Sequence, residues 1–270
     1  ALASLGSSGA FIGKVKDDQL GKVFRHDITS LGITFETTAD ADGLSTARCM
    51  IHVTPDAQRT MQTFLGACVN LGPDDVDEAI IADARVTYLE GYLWDPELAK
   101  QAFRKAAMAA EAAGRLVSLS LSDPFCVDRH RDDFLDLVKN HVNILFANEE
   151  EIMSLYQVKD FDAALQAVRG DCDIAALTRS EKGSVAVSGG EVHIIDAESV
   201  AKVVDTTGAG VPTSGGVART SAPRLVTAVV KELRESIATG AFRAGQKIPE
   251  EPLAARLGTP TPLVTAAYAA

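Results

Sequence analysis

Short apolar and β-branched runs alternate along the chain with segments of helical periodicity. The runs predict strands at 11–15, 47–54, 60–65, 85–89, 116–121, 144–147, 174–178, 184–187 and 192–195. The amphipathic segments predict helices at 18–31, 97–113 and 134–138, and one more helix that begins at Asn148. Strands and helices in alternation predict an α/β fold with a mainly parallel sheet and helices on both of its faces.

Polar residues follow four of the predicted strands. They are Asp123, Asn148, Thr178 and Asp205. In parallel sheets, ligands bind beyond the C-terminal ends of the strands, which all meet at one edge. The pattern therefore predicts a single site at that edge.

The pattern changes after Gly210. Residues 211–223 are rich in Gly, Ser, Thr and Pro and predict a linker. From residue 224 the sequence predicts only short helices, at 224–238, 249–257 and 263–269. We therefore predict an α/β domain at 1–210, a linker at 211–223 and a small all-helical segment at 224–270.

Composition narrows the classes of partner. The 270 residues carry a formal net charge of −11, which argues against nonspecific nucleic-acid binding by the main domain. The four cysteines are widely spaced and show no metal-ligand pattern, so we expect reduced thiols and a cytoplasmic location. No apolar run reaches transmembrane length, and no basic-then-apolar segment at the N-terminus predicts a secretory signal. We expect no membrane partner.

The run from Val203 to Gly210 carries the strongest chemical signal. Val203 and Val204 are typical of the end of a buried strand, and Asp205, Thr206 and Thr207 suit a turn and a helix N-cap. Gly208 and Gly210 let backbone N–H groups approach an anion at the positive end of a helix dipole. The run predicts a phosphate-binding turn; an ordinary glycine-rich turn is the alternative.

This run resembles the Asp-Thr-Thr-Gly-Ala-Gly-Asp signature of the PfkB, or ribokinase-like, family of sugar and nucleoside kinases, in particular its bacterial adenosine-kinase-like members. The resemblance implies a ribokinase-like αβα sandwich, ATP and Mg²⁺ as cofactors, and phosphoryl transfer to a hydroxyl of a nucleoside or sugar. It implies that Gly208, Ala209 and Gly210 stabilise the transferring charge, and that Asp205 and Thr207 help to bind the nucleotide. The family's closing Asp is the catalytic base, and Val211 stands at that position. The resemblance therefore implies impaired catalysis.

Three further segments resemble elements of the same family. Asn148 and Glu151 match an Asn-x-x-Glu motif that orders Mg²⁺, although an acidic first turn is also a common helix cap. Thr178, Ser180 and Gly183 match a segment that lines the ATP site, although a strand that runs into a turn explains them too. Arg59 matches an Arg that clamps the transferring phosphoryl group, although a lone surface Arg is usually solvated.

Both ends of the chain depart from this family pattern. The family's first strands and its double-glycine substrate element would precede Ala1, so the resemblance implies an N-terminally truncated domain and leaves the acceptor unidentified. Residues 224–270 resemble the winged helix-turn-helix of GntR-type regulators, with Leu253–Gly258 as the core of the likeness. DNA binding by this segment is the alternative function. We expect it to be weak, because two prolines and two threonines replace the cationic contacts: Pro260, Thr261, Pro262 and Thr265.

Overall fold

A computed structural model describes residue 3 and residues 6–197. The strands are β1 (Arg48–Val53), β2 (Arg59–Phe64), β3 (Val86–Glu90), β4 (Leu116–Ser120), β5 (Ile144–Asn148), β6 (Ile174–Thr178), β7 (Ser184–Ser188) and β8 (Glu191–Ile195). The α-helices are α1 (Gln19–Ser30), α2 (Glu78–Asp83), α3 (Glu97–Ala112), α4 (Pro124–Arg129), α5 (Arg131–Asn140), α6 (Glu149–Tyr156) and α7 (Phe161–Val168). Most of these elements lie within a few residues of the predicted ranges. The short helices α2, α4 and α7 were not predicted.

The centre of the fold is a six-stranded mixed sheet in the order β3-β4-β5-β6-β7-β8. Strands β3 to β6 are parallel, whereas β7 is antiparallel to both of its neighbours. Gly189 and Gly190 join β7 to β8 with φ angles of 56° and 83°. Two positive φ angles in succession are typical of the two-residue turns that fit the twist of a hairpin. The strands predicted at 184–187 and 192–195 are confirmed and form this hairpin, and the sheet is mainly parallel with an antiparallel edge.

One face of this sheet forms the main core with the helices. Leu119 of β4, Leu145 of β5 and Leu177 of β6 are fully buried in one cluster with apolar side chains of α3, α5, α6 and α7. Burying such a side chain is worth about 1.5–3 kcal/mol, so this face accounts for much of the stability of the described fold. Side chains of the alternating positions, such as Ile144 and Ile174, form a separate small cluster. Among the described residues, the expected helical cover is therefore seen on one face.

The N-terminal part of the described chain holds α1 and a separate hairpin. Strands β1 and β2 form a two-stranded antiparallel sheet whose residues are all exposed. The predicted strand at 11–15 is wrong, because only isolated bridges flank it, at Ala10 and Lys16. The ring of Phe11 packs instead against Phe24 and Phe35, with centroids 5.4 and 5.3 Å away. The apolar run therefore contributes side-chain packing rather than strand pairing.

Candidate functional site

The carboxyl ends of the parallel strands bring the predicted site residues to one edge of the sheet. Asn148, the last residue of β5, lies opposite Thr178, the last residue of β6. Glu90 ends β3 opposite Ser120 of β4, and Asp123 follows β4 as the N-cap of α4. The shared edge that the sequence predicted for Asp123, Asn148 and Thr178 is thus present, while the roles of these residues stay predictions.

Asn148 and Glu151 form a reciprocal cap at the start of α6. The Asn148 side-chain oxygen accepts the backbone N–H of Glu151 at 2.8 Å, and the Glu151 carboxylate accepts the backbone N–H of Asn148 at 2.9 Å. The Asn148 side-chain amide also donates to Glu151 at 2.7 Å. These bonds satisfy N-terminal N–H groups of the helix and fix the orientation of both side chains. The pair is therefore preorganised, and its carboxylate keeps lone pairs for a further partner.

The electrostatics of this pair favour a cation. Glu151 is only 6% exposed, and burial raises the pKa of its carboxyl to about 7, with Asp123 and Glu90 adding to the rise. A positive ion beside Glu151 would offset the repulsion between its carboxylate and those of Asp123 and Glu90. Carboxylate and amide oxygens are ligands that suit Mg²⁺. The described residues contain no group of three or more His, Cys, Asp or Glu side chains placed to hold a metal. Asn148 and Glu151 therefore fit a cation that takes one or two protein ligands and otherwise binds water and phosphate oxygens.

Glu90 is a candidate site residue that the sequence analysis did not name. Its carboxylate accepts the Tyr88 hydroxyl at 2.7 Å and also the Ser122 hydroxyl. Ser122 has a φ of 67°, a conformation that non-glycine residues adopt mainly where the surrounding structure enforces it. Its position in the sequence could have indicated it, because Glu90 ends a strand as Asn148 and Thr178 do.

The turn after β6 holds Thr178, Ser180 and Gly183. Ser180 has a φ of 50° and Gly183 a φ of 86°. A Cβ at Gly183 would lie 2.0 Å from the carbonyl oxygen of Ile195, so the close passage of the chain after β8 requires glycine there. Gly183 thus shapes the turn, while its predicted contact with ATP stays a prediction.

Two basic side chains of this turn contact the first residue of α6. Arg179 donates to both carboxylate oxygens of Glu149, at 3.2 and 3.4 Å, and Lys182 lies 3.4 Å from the same carboxylate. The hydrogen bonds from Arg179 are the main reason that the pKa of Glu149 is lowered. The guanidinium of Arg179 also lies over the Phe161 ring at 4.0 Å. The sequence analysis named none of these four residues, because their partners are distant along the chain.

Arg59 begins β2 in the exposed hairpin. The pKa of Tyr92 is raised, mainly by burial and then by the charges of Asp123 and Glu90. The positive charge of Arg59 opposes this rise, so Arg59 lies close enough to Tyr92 to interact with it. Tyr92 follows β3 at the carboxyl edge of the sheet. The hairpin therefore carries Arg59 to the side of the fold where the other candidate residues lie, and its predicted clamp role stays a prediction.

The remaining predicted site residues lie outside the described residues. They are Asp205, Thr207, Gly208, Ala209, Gly210 and Val211. The description ends at Ala197, whose backbone nitrogen lies 2.7 Å from the Cβ position of Gly183. Seven residues, 198–204, separate Ala197 from Asp205.

Comparisons with known proteins agree on the class of protein. A family model described as pfkB family carbohydrate kinase matches residues 1–244. The crystal structure of adenosine kinase from Sinorhizobium meliloti is 51% identical with a TM-score of 0.74, covering 77% of this chain and 64% of that one. A probable sugar kinase protein from Rhizobium etli CFN 42 is 49% identical with a TM-score of 0.76, covering 81% of this chain and 66% of that one. The described fold is thus the ribokinase-like α/β fold, with a mixed sheet.

A relative found by sequence comparison is also a kinase. An ATP-dependent ribose-1-phosphate kinase from Halopiger xanaduensis is 30% identical over 202 residues, which cover 73% of this chain and 64% of that protein. The chain thus spans slightly less than two thirds of the length of these relatives.

The predicted division of the chain into a domain, a linker and a C-terminal segment stays a prediction. The family match passes the predicted boundary at Gly210, and the resemblance of residues 224–270 to GntR-type regulators finds no support in it. That segment and the predicted linker lie outside the described residues, so their boundaries stay predictions. In the described part of the chain, no helix is both long enough and apolar enough to cross a membrane. All four cysteines are free thiols.

Proposed function

Because this chain belongs to the pfkB family of carbohydrate kinases, we propose that it binds ATP with Mg²⁺ and transfers a phosphoryl group to a hydroxyl of a nucleoside or sugar. Adenosine is the first acceptor to test, because the S. meliloti structure that is 51% identical is an adenosine kinase. We further propose that this chain transfers the group slowly, because Val211 stands at the position of the family's catalytic base.

The observation that supports the nucleotide site most directly is the Asn148–Glu151 pair, whose carboxylate is buried. It lies at the carboxyl edge of the sheet, opposite Thr178, with further carboxylates close enough to raise the pKa of Glu151. A buried carboxylate with further acidic side chains nearby, at the ligand-binding edge of a parallel sheet, is an arrangement that a Mg²⁺ ion bound with phosphate would stabilise.

The residues divide into three tasks. Asn148 and Glu151 would hold Mg²⁺ and its waters, and the bound ion supplies positive charge to the transferring phosphate oxygens. The backbone N–H groups of Gly208, Ala209 and Gly210 would donate to the developing negative charge. Asp205 and Thr207 would shape the start of that turn.

Two further segments would bind the substrates. Thr178, Ser180 and Gly183 would line the nucleotide, because their turn adjoins the end of β5. Arg59 would reach the transferring phosphoryl group from the hairpin, since its planar guanidinium can donate two parallel hydrogen bonds to phosphate oxygens. Val211 cannot accept the proton of the acceptor hydroxyl, and loss of a general base typically costs about 10²–10⁴-fold in rate.

A titration and a turnover assay test this proposal. Adding Mg·ATP should shift the backbone amide signals of Gly208, Ala209 and Gly210, and of Thr178, in the full chain. ADP formation that depends on adenosine should be measurable and slow compared with that of an intact relative. Absence of amide shifts at millimolar Mg·ATP would refute the nucleotide site. Turnover as fast as that of an intact relative would refute the role assigned to Val211.

The acidic composition and the free thiols support a cytoplasmic location, which stays part of the proposal. A DNA-binding role for residues 224–270 is the alternative, and salt-dependent retention of the full chain on duplex DNA would favour it.

A further inference from the structure

We propose that Glu149 is a positioning residue that ties the turn at residues 179–183 to the start of α6, and so holds the nucleotide-lining and cation-binding halves of the site in fixed register. This inference rests on the proposed function. Its basis is the set of contacts that Glu149 makes with Arg179 and Lys182.

Sheet pairing stops where these contacts begin. The pairing of β5 with β6 ends at Asn148 opposite Thr178. Glu149 is the next residue after β5, and Arg179 is the next residue after β6. Beyond that point the two segments diverge, one into α6 and the other into the turn. The ion pair between Glu149 and Arg179 therefore continues the connection after the backbone ladder has ended.

The geometry of the pair suits a fixed connection. Arg179 uses Nε and Nη2 to contact both oxygens of Glu149, and each of the two side chains is only 25% exposed. A bidentate guanidinium–carboxylate pair restricts both distance and direction, unlike a single contact. The Phe161 ring, 4.0 Å below the guanidinium, restricts Arg179 from a second side. Arg179 is therefore held by two elements, α6 and α7.

The turn itself needs support. Ser180 adopts a φ of 50°, which is unfavourable for a residue with a side chain. The turn is closed by the Arg179 N–H, which donates to Gly183 at 2.8 Å, and by the Lys182 N–H, which donates to Arg179 at 2.9 Å. Arg179 and Lys182, the two residues that Glu149 contacts, thus flank the strained Ser180.

Complementing the helix dipole does not by itself explain Glu149. Its neighbour Glu150 also lies in the first turn of α6 and is exposed. An acidic side chain that only complements the helix dipole requires neither a bidentate partner nor a second cation beside it. The contacts with Arg179 and Lys182 are specific to Glu149, and they join the residue beside Asn148 to the residue beside Thr178.

The test measures how strongly Mg²⁺ and ATP promote each other's binding. The affinity for ATP is determined with Mg²⁺ and with a chelator, and the ratio of the two is the coupling factor. In Glu149→Gln we expect this factor to fall by about fivefold, the lower end of typical couplings. Removing a carboxylate also changes the overall attraction for phosphate, and it does so more for free ATP than for the less negative Mg·ATP, so the fall in Glu149→Gln is assigned to positioning only if Arg179→Lys, which keeps the charge, shows it too.

Three variants make the test specific. Arg179→Lys keeps the charge and loses the bidentate fork, so it should lower the coupling factor as Glu149→Gln does. The double variant should show no further fall, because the two residues act through one contact. Glu181→Gln is the matched control, since Glu181 is an exposed acid in the same turn. It should keep the original coupling factor.

A second measurement needs no ligand. Hydrogen exchange at the Lys182 and Gly183 amides should be faster in Glu149→Gln and unchanged in Glu181→Gln, because these N–H groups close the turn. An unaltered chain that fails to bind Mg·ATP would refute the proposed function. Binding by the unaltered chain together with an unchanged coupling factor in Glu149→Gln would refute only the positioning role. Additive effects in the double variant would refute it too.

Discussion

The amide of Asn148 and the carboxylate of Glu151 hydrogen-bond to each other through both side chain and backbone, so the cap of α6 and the proposed cation site are the same two residues. A change at either residue therefore affects stability and ligand binding together.

Asn148→Ala should lower the free energy of unfolding by about 1 kcal/mol, as expected for loss of an N-cap, and should also weaken ATP binding in the presence of Mg²⁺. Asp160 is a matched control, because its side chain caps α7 by accepting the Ala163 N–H at 2.9 Å. Asp160→Ala should lower stability to a similar extent and leave nucleotide affinity unchanged. Urea denaturation and ATP titration measure the two quantities. Equal loss of nucleotide affinity in both variants would count against the site.

Glu151 should make stability depend on pH in the absence of divalent cations. Its pKa is about 7 in the folded chain and 4.5 in the usual reference, so the folded state binds more protons between these values. Stability should therefore fall as pH rises from about 4.5 to 7, by a contribution on the order of 3 kcal/mol, and then level off. Urea denaturation of the wild type and of Glu151→Gln across this range isolates the contribution.

The Glu151→Gln variant should lack that fall, and adding Mg²⁺ to the wild type should reduce it because a bound cation favours the ionised carboxylate. Glu150→Gln serves as the control, since its carboxyl is exposed on the same helical turn. Parallel pH profiles for wild type and Glu151→Gln would show that Glu151 titrates normally.

Gly183→Ala should destabilise the chain more than Gly190→Ala does. Both glycines have a positive φ, 86° and 83°, so an added side chain is unfavourable for the backbone at either position, and the ψ of −133° at Gly183 lies outside the left-handed helical region that other residues can adopt. Only at Gly183 would the added Cβ meet backbone, with the Ile195 oxygen 2.0 Å away, whereas nothing lies within 4 Å at Gly190. Overpacking of this kind adds about 1–3 kcal/mol. The two denaturation midpoints check this, and equal midpoints would contradict the close approach of the two segments.

Val211→Asp should speed phosphoryl transfer, because a carboxylate at the position of the family's base can accept the acceptor's proton. We expect an increase of about 10²–10⁴-fold, the usual contribution of a general base. Val211→Asn is nearly the same size and cannot accept a proton at neutral pH, so it should give no increase. Rates of adenosine-dependent ADP formation decide the matter. Equal rates in the two variants would contradict the alignment of Val211 with the base.

The sequence by itself determined the local elements and the edge at which the candidate site lies. Period-two and period-3.6 patterns specify which residues form strands and helices, because each element has to bury one face. The N-cap at Asn148 and the hairpin across Gly189 and Gly190 could be predicted because short-range hydrogen bonding and backbone conformation dominate there. The placement of Asn148 and Thr178 at one edge could also be predicted, because parallel strands end at a common edge.

Only the tertiary structure decided which side chains meet. The raised pKa of Glu151 depends on burial and on Glu90 and Asp123, which come from other parts of the fold, and no local pattern encodes that proximity. The contact of Glu149 with Arg179 joins residues 30 positions apart, and the need for glycine at 183 arises from the passage of Ile195. The apolar run at 11–15 became an aromatic contact rather than a strand for the same reason. Long-range packing selects among the local alternatives, because the burial and pairing of a residue depend on partners that the neighbouring sequence does not specify.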